Sequence, residues 1–399
     1  MYAYKEKDKK SDKQYQPTSH LSSLINQLTL DMSNKTIPCG IKNPKGLLQS
    51  LLRLQNIVGM HSLKENIAKQ TSYLIQKMAT NDFNMNMLNT TLYGNPGTGK
   101  TTVGVLLAEI WHHLGFLQTA TNKNINIYNL LNTVQFELLQ VYIMVGTVVI
   151  IKLYNDILLP FYQNYGLYTT ILLISLSIIV CYYICMTYLN NKEDNEPIVI
   201  TSRSTFVDLY MGGTANKTEK FLQNNLGKVI FIDEAYSLYN GHHDLYGGEA
   251  LDSLNRFMSE HANEIVVIFA GYQDKLEQSI FKVQPGLNRR CMWKFDCCDY
   301  NGEELYEIFK LQLKKEKQQL DYKDINKIKK YFVKHEKDFV NNGGDSERLV
   351  FYTILNKNIN TNDITYDDIK LGFKELRQVN LKLNDKPDPL DNIKKYLNI

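Results

Sequence analysis

Cysteine is sparse and scattered in this 399-residue sequence. Cys39, Cys181, Cys185, Cys291, Cys297 and Cys298 build no zinc ligand set and no disulfide framework, and they fit a reducing compartment. An excess of one charge is also lacking. Lys and Arg number 45 against 42 Asp and Glu, a net charge of +3, so no global basic field calls for nucleic acid. The opening residues MYAYKEKDKK are charged and no apolar core follows them, so no signal peptide is expected. Metal-site spacing is missing as well. In His112-His113 and His242-His243, neighbouring residues would not share a helix face and no third ligand is spaced to help. Both pairs are expected at the surface or in loops. Residues 1 to about 20 are polar without periodicity and read as disordered. Residues 21–45 mix short apolar runs with Pro38, Gly40 and Pro44 and read as linker, so 1–45 forms a tail.

What the sequence does have is a phosphate loop. Gly94-Asn95-Pro96-Gly97-Thr98-Gly99-Lys100-Thr101 has the form G-x-x-x-x-G-K-[ST]. It follows the apolar-leaning run Leu88 to Tyr93 and opens the helical run Thr102 to Leu114. Glycines let the backbone curl so that its N–H groups point at phosphate oxygens, and the helix adds its positive end. The pattern puts Lys100 on the β- and γ-phosphates and the Thr101 hydroxyl on Mg²⁺. Asn95, Pro96, Gly97, Thr98, Gly99 and Thr102 are expected to surround the same phosphates.

A second motif is Val229-Ile230-Phe231-Ile232-Asp233-Glu234. Four apolar residues fit a strand buried on both faces, with two carboxylates at its end. Ligands of open α/β sheets sit beyond the carboxyl ends of strands. Asp233 is therefore expected in the Mg²⁺ shell, and Glu234 is expected to polarise the attacking water.

Around these motifs the pattern alternates. Leu47 to Ile57 carries a helical leucine stripe, and Ser62 to Met78 is a long amphipathic helix. Val58 and Gly59 between them either line an adenine pocket or simply pack. Pro197 to Thr201 and Ile265 to Ala270 read as strands, and Ala215 to Asn225 and Glu249 to His261 as helices. Strands separated by helices argue a parallel, doubly wound sheet. From Tyr300 charged amphipathic helices follow one another over Gly302–Leu320, Tyr322–Phe339, Ser346–Leu355 and Tyr366–Val379. The expected divisions are a first part of the α/β core over 46–118, an insert over 119–196, the rest of the core over 197–298 and an all-helical lid over 299–399.

The insert is strongly apolar twice. Tyr168 to Leu189 carries no charge in 22 residues, long enough to cross a bilayer as a helix. The earlier run, about 134–152, contains Glu137 and Gln140 and is weaker. Together they are expected to form a membrane hairpin, spanning or re-entrant, attached at the sheet end opposite the nucleotide. A buried hairpin in a soluble domain is the alternative.

With these pieces in place, the chain resembles the AAA+ ATPases of the CfxQ/CbbX type, which include the red-type rubisco activases and the sporulation-protein-VK group. The resemblance rests on LYGNPGTGKTT (92–102), DLYMGGTANKTEKFL (208–222), KVIFIDEAYSLY (228–239), YGGEALDSL (246–254), VVIFAGYQDKLE (266–277) and QPGLNRR (284–290). It covers about 57–116 and 197–375, and neither the tail nor the insert has a counterpart. It implies a P-loop NTPase core using ATP and Mg²⁺, rings that are usually hexamers, and nucleotide held between subunits. It implies Arg290 as the arginine finger, with Arg289 beside it, and Tyr210-Met211-Gly212 as a pore loop that grips polypeptide. It places Tyr272 as the polar sensor of the fourth core strand. Many relatives carry a nucleotide-sensing Arg at the start of the lid's third helix. Here Asp345 stands at that position, and Arg348 is the nearby candidate for nucleotide contact.

The function expected is a membrane-anchored AAA+ ATPase that remodels a protein partner, facing the cytosol or another ATP-containing reducing compartment. One alternative is an ATP-binding switch or scaffold with little turnover. Another is a nucleic-acid motor, which would want a basic loop where Tyr210 stands.

Overall fold

The computed structural model describes residues 19–34, 36, 40–80, 85–117, 197–210, 212–241, 243–357 and 363–384. The chain divides into two units, 1–118 with 197–399, and 119–196. The second unit, and with it the runs 134–152 and 168–189 expected in a membrane, lies outside the described residues. So does the polar start of the chain. Among the described residues no helix is long and apolar enough to cross a membrane.

The first unit is built on a parallel sheet of five strands. They are β1 (Thr90–Gly94), β2 (Ile198–Thr201), β3 (Val229–Ile232), β4 (Val266–Gly271) and β5 (Trp293–Cys297), in the order β2-β3-β4-β1-β5. Strand β3 shows why the sheet has two covered faces. Val229 and Phe231 join one apolar core, while Ile230 and Ile232 join the other. Successive side chains of a strand point to opposite faces, so a run of four apolar residues needs cover on both sides. The doubly wound expectation holds.

On one face lie α1 (His20–Asn34), α2 (Pro44–Asn56), α3 (His61–Ala79) and α4 (Lys100–Leu114). Helix α4 approaches β3 closely: a Cβ on Gly104 would stand 2.4 Å from the Phe231 ring. On the other face lie α5 (Arg203–Phe206), α6 (Thr214–Asn224) and α7 (Leu245–Glu260). Short helices α8 (Gln273–Gln278), α9 (Ile280–Val283) and α10 (Pro285–Arg290) then lead from β4 to β5. The lid follows as α11 (Gly302–Lys315), α12 (Ile325–Lys334), α13 (Gly343–Leu355) and α14 (Tyr366–Asn384). Its apolar residues, such as Phe309, Phe332 and Phe373, continue the first face's core.

Three expectations need correction. Residues 21–45 are not linker throughout, because α1 buries Leu21, Leu24, Ile25 and Leu28 against α2 and α3. Those positions follow i, i+3, i+4, i+7, the stripe of an amphipathic helix. His112 and His113 are half-buried helix residues rather than loop or fully exposed ones. They sit in the last turn of α4 with buried Nδ1 atoms, and burial lowers both pKa values. The stretch 322–339 is not one helix, because His335 ends α12 and a short 3₁₀ turn, Glu336–Asp338, follows.

Candidate functional site

The phosphate loop forms at the carboxyl end of β1, an inner strand between β4 and β5. Its glycines are required. Gly97 and Gly99 adopt φ +71° and +87°, a region that side chains rarely enter. A Cβ on Gly97 would also lie 2.1 Å from the Asn341 carbonyl oxygen. Within the loop the buried Lys100 ammonium donates to the carbonyl oxygens of Gly94 (3.0 Å) and Asn95 (2.8 Å). The Thr98 hydroxyl donates to Asn95 O at 2.8 Å, closing the turn.

Asp233 and Glu234 follow β3, and the Asp233 amide is fixed to Thr201 O at 2.9 Å. Glu234 has φ +47°, unusual for a residue with a side chain. Strain of this kind gathers where a side chain must be aimed. Its Oε2 is buried with no hydrogen-bond partner among the described residues. Burial pushes its pKa up; the Lys100 and Lys275 charges oppose this and Asp233 adds to it. A buried carboxylate without a hydrogen-bond partner is free to accept one from a water held in the cavity.

These residues line one cavity of about 900 Å³, together with Pro96, Gly97, Gly99, Thr101 and Thr102. Asn56, Ile57 and Val58 form one wall. The lid forms the other, through Tyr300, Ile308, Leu311, Gln312, Lys314, Lys315, Gly343, Gly344 and Glu347. Gly59 is not in the wall itself. It lets the lid close in, because a Cβ there would stand 2.5 Å from Glu304 Oε1. Lys64 holds the turn from behind, donating to Gln55 O (2.9 Å) and to Ile57 O, and burial lowers its pKa.

The lid is tied to the loop by residues that the motifs did not announce. Asp299 accepts from Asn95 Nδ2 at 2.9 Å and from Asn342 Nδ2 at 2.8 Å. The Tyr300 hydroxyl donates to Thr98 O at 2.9 Å. Gln312 joins α11 to α13, donating to Gly343 O (3.1 Å) and accepting from the Ser346 hydroxyl (2.7 Å).

Residues 183–292 match the ATPase family associated with various cellular activities (AAA). The chain carries an AAA ATPase domain. It combines an α/β core around a parallel sheet, a phosphate loop and a helical C-terminal region. The match includes Asp233, Glu234 and Arg290 but begins after the phosphate loop, which the sheet brings to the same edge.

Among similar proteins, a putative CfxQ-like protein of Acanthamoeba polyphaga mimivirus is 28% identical over 323 residues, 81% of this chain and 60% of that protein. The protein CbbX of Cereibacter sphaeroides is 26% identical over 269 residues, 66% of this chain and 62% of that protein. The chloroplastic ribulose bisphosphate carboxylase/oxygenase activase of Cyanidioschyzon merolae is 38% identical over 124 residues, 31% of this chain and 42% of that protein. The chain thus spans less than two thirds of these relatives' lengths.

The AAA domain does not bring every expected residue into the cavity. Tyr272 lies beside it, at the start of α8, and lines a separate cleft of about 320 Å³ with Asn95. Its ring centroid is 5.9 Å from Lys100 Nζ and 4.5 Å from Lys275 Nζ. Arg348 is displaced from the expected nucleotide contact. It pairs with the fully buried Asp345 at 3.3 Å and lines another cleft with Phe351 and Tyr352. Glu347 faces the cavity instead.

Arg290 is not among the residues lining its own chain's cavity. Its guanidinium donates to Asn255 Oδ1 (2.8 Å), Gly286 O (3.0 Å) and the Ser259 hydroxyl. Tyr210 is 78% exposed and its neighbour Leu209 is 90% exposed. The Asp208 carboxylate shapes this loop by accepting from the Leu209 amide at 2.6 Å. Gly212 has φ +81°, and Met211 lies outside the described residues. Cys297 is buried, its pKa pushed to about 12, in keeping with a packing role.

Proposed function

We propose that this AAA domain binds MgATP in the cavity between phosphate loop and lid, hydrolyses it within a ring of identical chains, and uses the cycle to remodel a polypeptide. The observation that carries this reading is the Glu234 carboxylate, strained into place and orphaned beside Lys100 in the cavity wall. Glu234 orients the attacking water, and Lys100 exchanges its loop carbonyls for phosphate oxygens. Thr101 and Asp233 would hold Mg²⁺, whose charge would offset that of the phosphates. The curled loop and its unsatisfied carboxylate neighbour fit such a group.

Arg290 acts on the site of the next chain. Its place outside its own cavity supports this role, since an arginine supplied in trans stabilises charge on the transferred phosphoryl group. Tyr210 and Leu209 offer an exposed apolar grip for the polypeptide. The membrane proposal rests on the sequence alone: the uncharged run 168–189 anchors the ring to a bilayer.

A switch or scaffold that binds ATP with little turnover is the second reading. It is favoured by Asp345, an acid at the position where relatives carry a sensing Arg, tied to Arg348. Steady-state hydrolysis with parallel ATP binding separates the two, measured on the full chain and on Glu234→Gln. The motor reading expects hydrolysis that Glu234→Gln lowers by about 10²–10⁴-fold while binding persists. Binding with negligible turnover in both proteins establishes the scaffold.

A further inference from the structure

The lid faces the cavity with charge of an unexpected kind. Its third helix, α13, contributes only an acid, Glu347, because Asp345 is buried and holds Arg348 away. Its first helix contributes two cations. Lys314 and Lys315, in the last turn of α11, line the same cavity as Lys100 and Thr101. Both are exposed, and neither has an ion-pair partner among the described residues. On the same lid, Lys310 pairs with Glu307 and Lys329 with Glu303. The carboxylates lining the cavity are Asp233, Glu234 and Glu347. Without the two lid lysines, Lys100 would be the only cation lining it among the described residues.

We propose that Lys314 and Lys315 are the lid's nucleotide-reading cations, delivering from α11 to the polyphosphate of ATP the charge that α13 does not supply. The inference deepens the reading of this cavity as an ATP site and rests on it. A helix C-terminus favours lysine on its own account. That effect needs no opening toward a phosphate loop, whereas both side chains border the cavity that holds Lys100. Long lysine stems reach a flexible anion without fixed geometry, so their effect is one of charge and is screened by salt. Gln312, on the same helix, fixes the adjoining Gly343 turn, which keeps the end of α11 registered to the loop.

The test uses the full chain titrated with MgATP, MgADP and adenosine at low and high salt. Wild type is compared with Lys314→Ala/Lys315→Ala, the corresponding double Lys→Arg variant, and Lys100→Ala. The double alanine variant is expected to bind MgATP about tenfold more weakly at low salt, from two exposed ion pairs. MgADP should lose less, adenosine should be unaffected, and the double arginine variant should retain affinity. The difference should shrink at high salt. An unchanged MgATP affinity overturns the inference, and so does an equal loss for adenosine, which marks a merely structural role. If wild type binds no MgATP, the ATP-site reading itself falls. If wild type binds and only Lys100→Ala loses affinity, the reading stands and the lid lysines are excluded.

Discussion

The Gly343 amide donates to the Gly97 carbonyl oxygen across 3.1 Å, so the lid's third helix begins on the phosphate loop itself. The Asn342 side chain bonds Asp299 beside it, and Asp299 in turn bonds Asn95 of the loop. Lid position and loop shape are therefore one mechanical unit. A group that spreads the loop must also move the first turn of α13.

Gly97→Ala tests that unit. The substitution imposes φ +71° on a side chain and drives its Cβ to 2.1 Å from Asn341 O. A cost of about 2–4 kcal/mol is expected from strain and overpacking together. It should appear as a lower Tm and weaker ATP binding. Gly248→Ala is the control. A Cβ there meets nothing within 4 Å, and alanine suits a helix, so stability should be unchanged or higher by up to about 1 kcal/mol.

The acid side of the activity profile should report Glu234. It works as a carboxylate, and burial raises its pKa above the usual range. Protonation, and with it loss of kcat, is therefore expected to begin at a higher pH than for an exposed glutamate. A pH–rate profile checks this. An acid limb at or below the ordinary carboxylate range contradicts the assigned environment.

Much of this site was legible in the sequence, for local reasons. GNPGTGKT and VIFIDE each carry their chemistry within a few residues, and β3 buries all four apolar positions as the run implied. The lid contacts were not legible. Asp299 and Asn342 act on Asn95 and Pro96 across some two hundred residues of chain, and no local pattern encodes that. Strand β5 gave only a weak signal, because its residues alternate between buried and exposed at the sheet edge, unlike the continuous runs of β3 and β4. Helix α1 was obscured by the Pro38, Gly40 and Pro44 that follow it, although its leucine spacing was present. Arg348 was misplaced because sequence adjacency does not fix direction: Asp345 at i−3 captures it.

Acid should expose the ion pair Arg203–Asp244. Arg203 lies in α5 and also bonds Leu238 O, joining the helix before the Tyr210 loop to the segment after Glu234. Its guanidinium holds the Asp244 carboxyl down at about 2, from 3.8. A depressed carboxyl contributes stability that is present above its unfolded pKa and lost as pH falls through its folded one. Arg203→Ala should cost about 1.5–3 kcal/mol near neutrality. The Tm difference between wild type and Asp244→Asn should narrow as pH falls from about 4 to about 2, as thermal melts at stepped pH will read.

The central claim is that one chain's cavity is completed by another chain's Arg290. The most direct measurement mixes Lys100→Ala with Arg290→Ala, each inactive alone, and follows ATP turnover against the mixing ratio. If sites are shared, some interfaces in mixed rings pair an intact Lys100 with an intact Arg290, and activity returns with a maximum near equal amounts. If each chain hydrolyses ATP alone, or Arg290 serves only its bonds to Asn255 and Ser259, every mixture stays inactive although subunits exchange, and the shared-site account is wrong.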